Sequence, residues 1–141
     1  MHHDTELRVR YAETDQMGIV YHGNYFPWFE EARTNLLVAA GYTYRDLEQK
    51  GLFFPLIECS CRFRQPAKYF DELVVRASVE QVRGAQFSIV YQVIRKEDRV
   101  LLAEGRTAHA FVGRDFRPVN MLRYMPEVYE KLKEMARPEE E

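Results

Sequence analysis

Two cysteines in 141 residues, Cys59 and Cys61, are too few and too close together for a disulfide framework. A reduced, cytoplasmic setting is the simplest expectation. On a strand, residues i and i+2 only share a face, and no second Cys or His pair completes a tetrahedral metal set. No apolar run approaches the roughly 18 residues of a membrane span, so no membrane insertion is expected. The first ten residues have no apolar core of the kind a signal peptide carries. Charge of one sign is lacking too: 20 Lys and Arg against 22 Asp and Glu leave a net charge of −2. A chain so nearly neutral is not built around attraction to nucleic acid. Linkers rich in Gly, Ser or Pro are absent, as are internal repeats. Residues 1–141 therefore read as one domain, with 137–141 a frayed acidic end.

What is present is globular: 46% hydrophobic and 30% charged residues are close to the average for folded domains. Nine Tyr, nine Phe and one Trp can build a sizeable core or line an apolar pocket. Residues 7–11 alternate as a short strand, and 12–23 read as a loop. From Asn24 the period changes. Tyr25, Phe29, Ala32 and Leu36 fall on one face of a helix over about 24–40, widened by Trp28, Leu37 and Ala40. Asn24 is placed to cap its start and Gly41 its end. Residues 43–50 form a shorter polar helix. Four strands follow, over 56–63, 73–82, 86–95 and 100–112, with a last amphipathic helix over 126–135. Short connections favour antiparallel neighbours. One long buried helix with a run of strands suggests a curved sheet around it, whose uncovered parts call for a dimer or higher homo-oligomer.

Chemistry concentrates between residues 11 and 25. This stretch holds Asp15, His22, several Tyr hydroxyls, and Gly18 and Gly23. It leads into the N-terminus of the long helix, where free N–H groups can hold a developing oxyanion. A nearby carboxylate can attack or activate water. The parts suit acyl transfer, although composition alone does not choose that over a plain capping loop. Asp15 can also be a turn residue bonding its own backbone. His22 can be a loop residue, and Tyr11, Tyr21 and Tyr25 can be packing residues. His109, inside an apolar strand, reads as a satisfied core or interface residue. His2 and His3 read as disordered terminal residues.

The run Tyr11-x-x-Thr14-Asp15-x-x-Gly18-Ile19-Val20-Tyr21-His22-x-Asn24-Tyr25, followed by Trp28-Phe29-Glu30-x-Ala32-Arg33, resembles the signature of hotdog-fold acyl-CoA thioesterases. It is most similar to the 4-hydroxybenzoyl-CoA thioesterase branch, and within it to the Tol–Pal-associated, YbgC-type enzymes. Phe63-Arg64-x-Pro66-Ala67, Asp71-Glu72-Leu73 and Val82-Arg83-Gly84 match in outline. The resemblance implies an α+β hotdog fold, a curved antiparallel sheet wrapped around one long central helix. It implies hydrolysis of acyl-CoA to CoA and a carboxylic acid by a cytoplasmic dimer or dimer of dimers. No metal or redox cofactor is implied; coenzyme A enters as part of the substrate.

By position, the resemblance makes Asp15 the catalytic carboxylate, as nucleophile or general base. His22 is the residue whose N–H holds the carbonyl oxygen. Tyr11, Gly18, Tyr25 and Phe54 fall to substrate binding. Arg83, with Arg62, Arg64 and Lys68, falls to the CoA phosphates, where an Arg fork suits phosphate. Gly84 and Ala85 stand where relatives extend the basic run. A second carbonyl-holding N–H comes in the family from near residues 52–56. Phe53-Phe54-Pro55 stands there, and Pro55 cannot donate. Glu30 and Arg33, at i and i+3, read as a scaffold pair. Two other readings remain open at this point. One is a non-catalytic acyl-CoA, acyl-carrier-protein or envelope-associated scaffold protein of the same fold. The other is a hydratase, whose Gly-Asp-x-Asn-Pro-type loop is missing.

Overall fold

The computed structural model describes residues 1–137; the rest of the expected frayed end, residues 138–141, lies outside them. Five strands form one antiparallel sheet. They are β1 (His2–Arg8), β2 (Leu56–Phe63), β3 (Glu72–Arg83), β4 (Gln86–Arg95) and β5 (Leu101–Ala110), in the order β1-β3-β4-β5-β2. The long helix α1 (Tyr25–Ala39) lies on one face. Its stripe Tyr25, Phe29, Ala32 and Leu36 is 2% exposed or less, with Trp28 and Leu37 widening it. The stripe packs in one core with Leu73, Val75, Ala77, Ile89, Tyr91 and Val93, alternate residues of β3 and β4. This is the wrapped sheet expected from the sequence. The polar helix is α2 (Tyr44–Gln49), capped by the Thr43 hydroxyl, which accepts the Asp46 N–H. A four-residue helix α3 (Met121–Tyr124), too short to leave a periodic signal, precedes the expected α4 (Pro126–Met135).

Three local expectations fail for physical reasons. The first strand is not 7–11 but His2–Arg8, and residues 11–13 form a 3-10 turn. His2 and His3 are therefore ordered in the ladder, opposite Ser78 and Ala77. No apolar alternation marks this strand. Backbone pairing holds it, with the cross-strand ion pairs Arg76–Asp4 and Arg8–Glu72 and a third ion pair from Glu6 to Lys96, just beyond β4. Asn24 does not cap α1 by its side chain; its Nδ2 donates to the Glu13 carbonyl at 2.7 Å. Glu30 and Arg33 form no ion pair. Arg33 donates from Nε to the Tyr44 hydroxyl at 2.8 Å and from Nη1 to the Tyr91 hydroxyl at 3.2 Å. Gly41, at φ +97°, does end α1, and its N–H donates to the Val38 carbonyl.

β2 is one of the two edges of the sheet, the other being β1. Seven of its eight residues are exposed, and Leu56, Ile57 and Phe63 keep about half their surface open. An apolar strand with a free ladder edge is a pairing surface.

Candidate active site

Asp15 opens a tight hairpin. Its N–H donates to the Ile19 carbonyl at 2.8 Å, and its own carbonyl accepts from Gly18 at 2.9 Å. Thr14 and Val20 close the loop by a bridge. Gly18 sits at φ +80°, the left-handed conformation that favours glycine. The Asp15 Oδ1 accepts the Met17 N–H at 2.9 Å. Asp15 is thus a turn residue through one oxygen, while its Oδ2 accepts nothing among the described residues. The turn reading and the reactive reading coexist in one side chain.

The chain then enters α1 through a 3-10 turn, residues 22–24. Among the described residues the His22 N–H donates to no acceptor. The His22 ring is exposed, with the Tyr21 ring 4.4 Å away. Asp15 and His22 line one cleft of about 290 Å³ with Ile19, Tyr25, Phe63 and Arg64. Tyr25 is buried beneath it, its ring against Trp28 and Phe63. Its hydroxyl accepts the Ala67 N–H at 3.4 Å, and burial pushes the phenol above its ordinary pKa. Arg64 reaches the cleft while donating to Glu104 at 2.7 Å.

Other expected site residues lie elsewhere in the chain. Tyr11 is 77% exposed, edge-on to Tyr69, and does not line the cleft. Phe54 packs on Phe87 and Phe111 at the opposite end of β2, in a separate cavity of about 380 Å³. Arg83 lines a third hollow with Arg106, Gln81 and Gln86, at the β3–β4 turn. Arg62 and Lys68 are exposed and form no ion pair among the described residues. In the stretch meant to supply a second carbonyl donor, Phe53 N–H is spent on Val112 and Leu52 N–H on Leu47. The Phe54 N–H donates to nothing among the described residues. Phe63, Gln65 and Pro66 also line the Asp15 cleft, which sequence reasoning missed because nothing in β2 shows that it ends there. Glu13 is missed as well. Its signal is an acid two residues before Asp15, with the chain's one Trp on the first turn of the helix beyond.

His109 is a satisfied core residue, as expected: 1% exposed, with Nε2 2.9 Å from the Thr107 hydroxyl. Burial, aided by the Arg33 charge, lowers its pKa to about 4. The unfolded chain binds that proton near 6.5, so between pH 6.5 and about 4 it holds more protons than the folded chain. Stability therefore falls as pH drops through this window. The expected loss is roughly 2–3 kcal/mol. Urea unfolding at steps from pH 7 to 4 checks it: His109→Gln should flatten the slope, and an unchanged slope would assign the effect to carboxylates.

Among known proteins, the family described as "Thioesterase-like superfamily" matches residues 9–135. YneP of Bacillus subtilis is 34% identical over 132 residues, 91% of this chain and 95% of that protein. The acyl-CoA thioesterase YbgC of Haemophilus influenzae is 30% identical over 128 residues, 90% of this chain and 93% of that protein. The solved structure of DHNA-CoA thioesterase from Staphylococcus aureus superposes with a TM-score of 0.86 at 32% identity, covering 92% of this chain and 87% of that one. Likenesses of 30–34% identity along nearly the whole length, on a matching wrapped sheet, leave one conclusion: the chain belongs to the thioesterase-like superfamily and is a thioester hydrolase of the hotdog fold.

Proposed function

We propose that the chain hydrolyses acyl-CoA thioesters to free CoA and a carboxylic acid in the cytoplasm, at the cleft between Asp15 and the start of α1. The observation that carries this is one cleft lined by both Asp15, whose Oδ2 accepts nothing among the described residues, and His22, whose backbone N–H donates to nothing among them. The Asp15 Oδ2 serves as nucleophile or as base on water. The His22 N–H, at the positive end of α1, steadies the oxyanion as the thiolate leaves. The reaction so written needs no metal or redox cofactor.

The working site is built by two copies. Antiparallel pairing of two β2 edges about a two-fold axis lays the Leu56 end of one strand beside the Phe63 end of the other. β2 spans about 25 Å, so within one chain Phe54 and Asp15 sit at opposite ends. Across the seam, the aromatic cavity around Phe54 and the Arg83 turn come to the other copy's Asp15 cleft. There Phe54 lines the acyl group and Arg83 meets CoA phosphate, while Arg64, Arg62 and Lys68 add positive charge near the cleft. A homodimer, or a homotetramer made of two, is the implied assembly.

Thiol release from a panel of acyl-CoAs, short to long aliphatic and hydroxylated aromatic, tests the activity. Turnover of at least one class by a sedimenting species of two or four chains is expected. A monomer would sink the composite pocket. Binding without thiol release from any member would replace the enzyme by a scaffold protein of the same fold.

A further inference from the structure

Behind the Asp15 hairpin lies a second carboxylate, and it is buried. Glu13 is 7% exposed. Its Oε1 accepts the Arg10 N–H at 2.7 Å, and its Oε2 accepts the Trp28 indole N–H at 2.8 Å. Its carbonyl accepts the Tyr21 N–H at 2.9 Å and the Asn24 Nδ2 at 2.7 Å. The Arg10 Nε, 3.5 Å from Oε1, adds charge of the opposite sign. These donors come from both flanks of residues 14–20: Arg10 before the hairpin, and Tyr21, Asn24 and Trp28 after it.

Burying a carboxylate costs stability unless its lone pairs are met, and here both oxygens face N–H donors. An amide could not replace it without loss. Gln has one acceptor end, so one of the two donors would face an NH₂ group. The hairpin does not need Glu13 to keep its own shape. It is closed by Asp15 to Ile19, by Gly18 to Asp15 and by the Thr14–Val20 bridge. What the Glu13 carboxylate adds is a fixed placement of that hairpin against the first turn of α1, through Trp28.

We propose that Glu13 is a positioning residue for thioester hydrolysis, setting the separation between the Asp15 carboxylate and the His22 N–H by tying the hairpin to Trp28. This rests on the reading of Asp15 as the reacting carboxylate. A misplacement of about 1 Å at a reacting group can cost about a hundredfold in rate.

The test compares wild type, Glu13→Gln, Trp28→Phe, the double variant and Asp15→Asn by thiol release from the best acyl-CoA of the panel. Rates are taken where circular dichroism shows each protein folded. Glu13→Gln is expected to lower kcat about ten- to a hundredfold with KM within about twofold, because binding groups stay in place. Trp28→Phe keeps a ring but removes the indole donor, and should lower kcat in the same way. The double variant should be no slower than about the worse single, since both remove one tie. Trp28 is the chain's one Trp, so a changed emission in Glu13→Gln reports the lost bond directly. A purely structural role would move the melting point and leave kcat of the folded protein alone. If kcat stays within about twofold of wild type in both singles while Asp15→Asn is inactive, the positioning role is overturned and the Asp15 reading stands. If Asp15→Asn keeps its rate, both readings fall together. Should Glu13→Gln not fold, Trp28→Phe carries the comparison alone.

Discussion

Asp15→Asn is expected to lower kcat at least about a hundredfold, the scale of a removed acid–base group, equal to about 2.7 kcal/mol of transition-state stabilisation. The substitution is chosen by the hairpin geometry. Asn retains an oxygen that can accept the Met17 N–H, which Asp15 Oδ1 now accepts at 2.9 Å. Asn is as much at home in such turns as Asp. The backbone bonds of the hairpin involve no side chain and persist. What disappears is the charge of a cleft-lining carboxylate whose Oδ2 accepts nothing among the described residues, and with it both the nucleophile and the base. The melting point should therefore stay close to that of wild type while thiol release collapses. KM should change little, because CoA and acyl contacts are made by other residues. A variant that keeps more than about a tenth of the wild-type rate would remove Asp15 from the chemistry and leave it a turn residue.

Much of the fold is legible in the sequence because the physics that builds it is local. The α1 stripe announces itself at i, i+4, i+7 and i+11, and each of its four residues is buried. Strand 86–95 alternates cleanly and is found with the same bounds. β1 is misplaced because a strand reading His-His-Asp-Thr-Glu-Leu-Arg buries only Thr5 and takes its order from a partner more than sixty residues away. Within the site, the contiguous block from Asp15 to Tyr25 is readable, since one hairpin and one helix start bring its parts together. Phe54 and Arg83 are not placeable from sequence. They stand at the far end of the sheet, and on the two-copy reading only a second chain carries that end to the cleft. Glu13 escapes notice for a different reason: a buried acid next to a reactive one looks in sequence like any other loop charge.

The largest expected stability effect lies under α1, at Phe29. Its ring is fully buried and stacked on Tyr91 at 4.4 Å, with an interplanar angle of 18°. Tyr91 is itself held, by Thr107 at 2.7 Å and by Arg33 at 3.2 Å. Phe29→Ala should cost about 3–5 kcal/mol, since neither neighbour is free to collapse into the space. The other wall of the ring is Gly105, where an added Cβ would stand 2.4 Å from two Phe29 ring carbons. Ala is ordinarily better than Gly in a strand by about 0.5–1 kcal/mol, but a contact that short cannot exist. Gly105→Ala must push the ring against Tyr91 or bend β5, and should cost about 1–3 kcal/mol. The two substitutions act on one contact, so their losses should not add. In Phe29→Leu the planar ring is gone and a Cβ at position 105 has room. The double variant Gly105→Ala/Phe29→Leu should be more stable than the sum of its singles by about 1 kcal/mol or more. Urea unfolding of all variants at one protein concentration measures this, so that any association contributes equally to each. Additive losses would mean that β5 moves to accept the added methyl by itself, and that Gly105 is there for the strand's path and not for the ring.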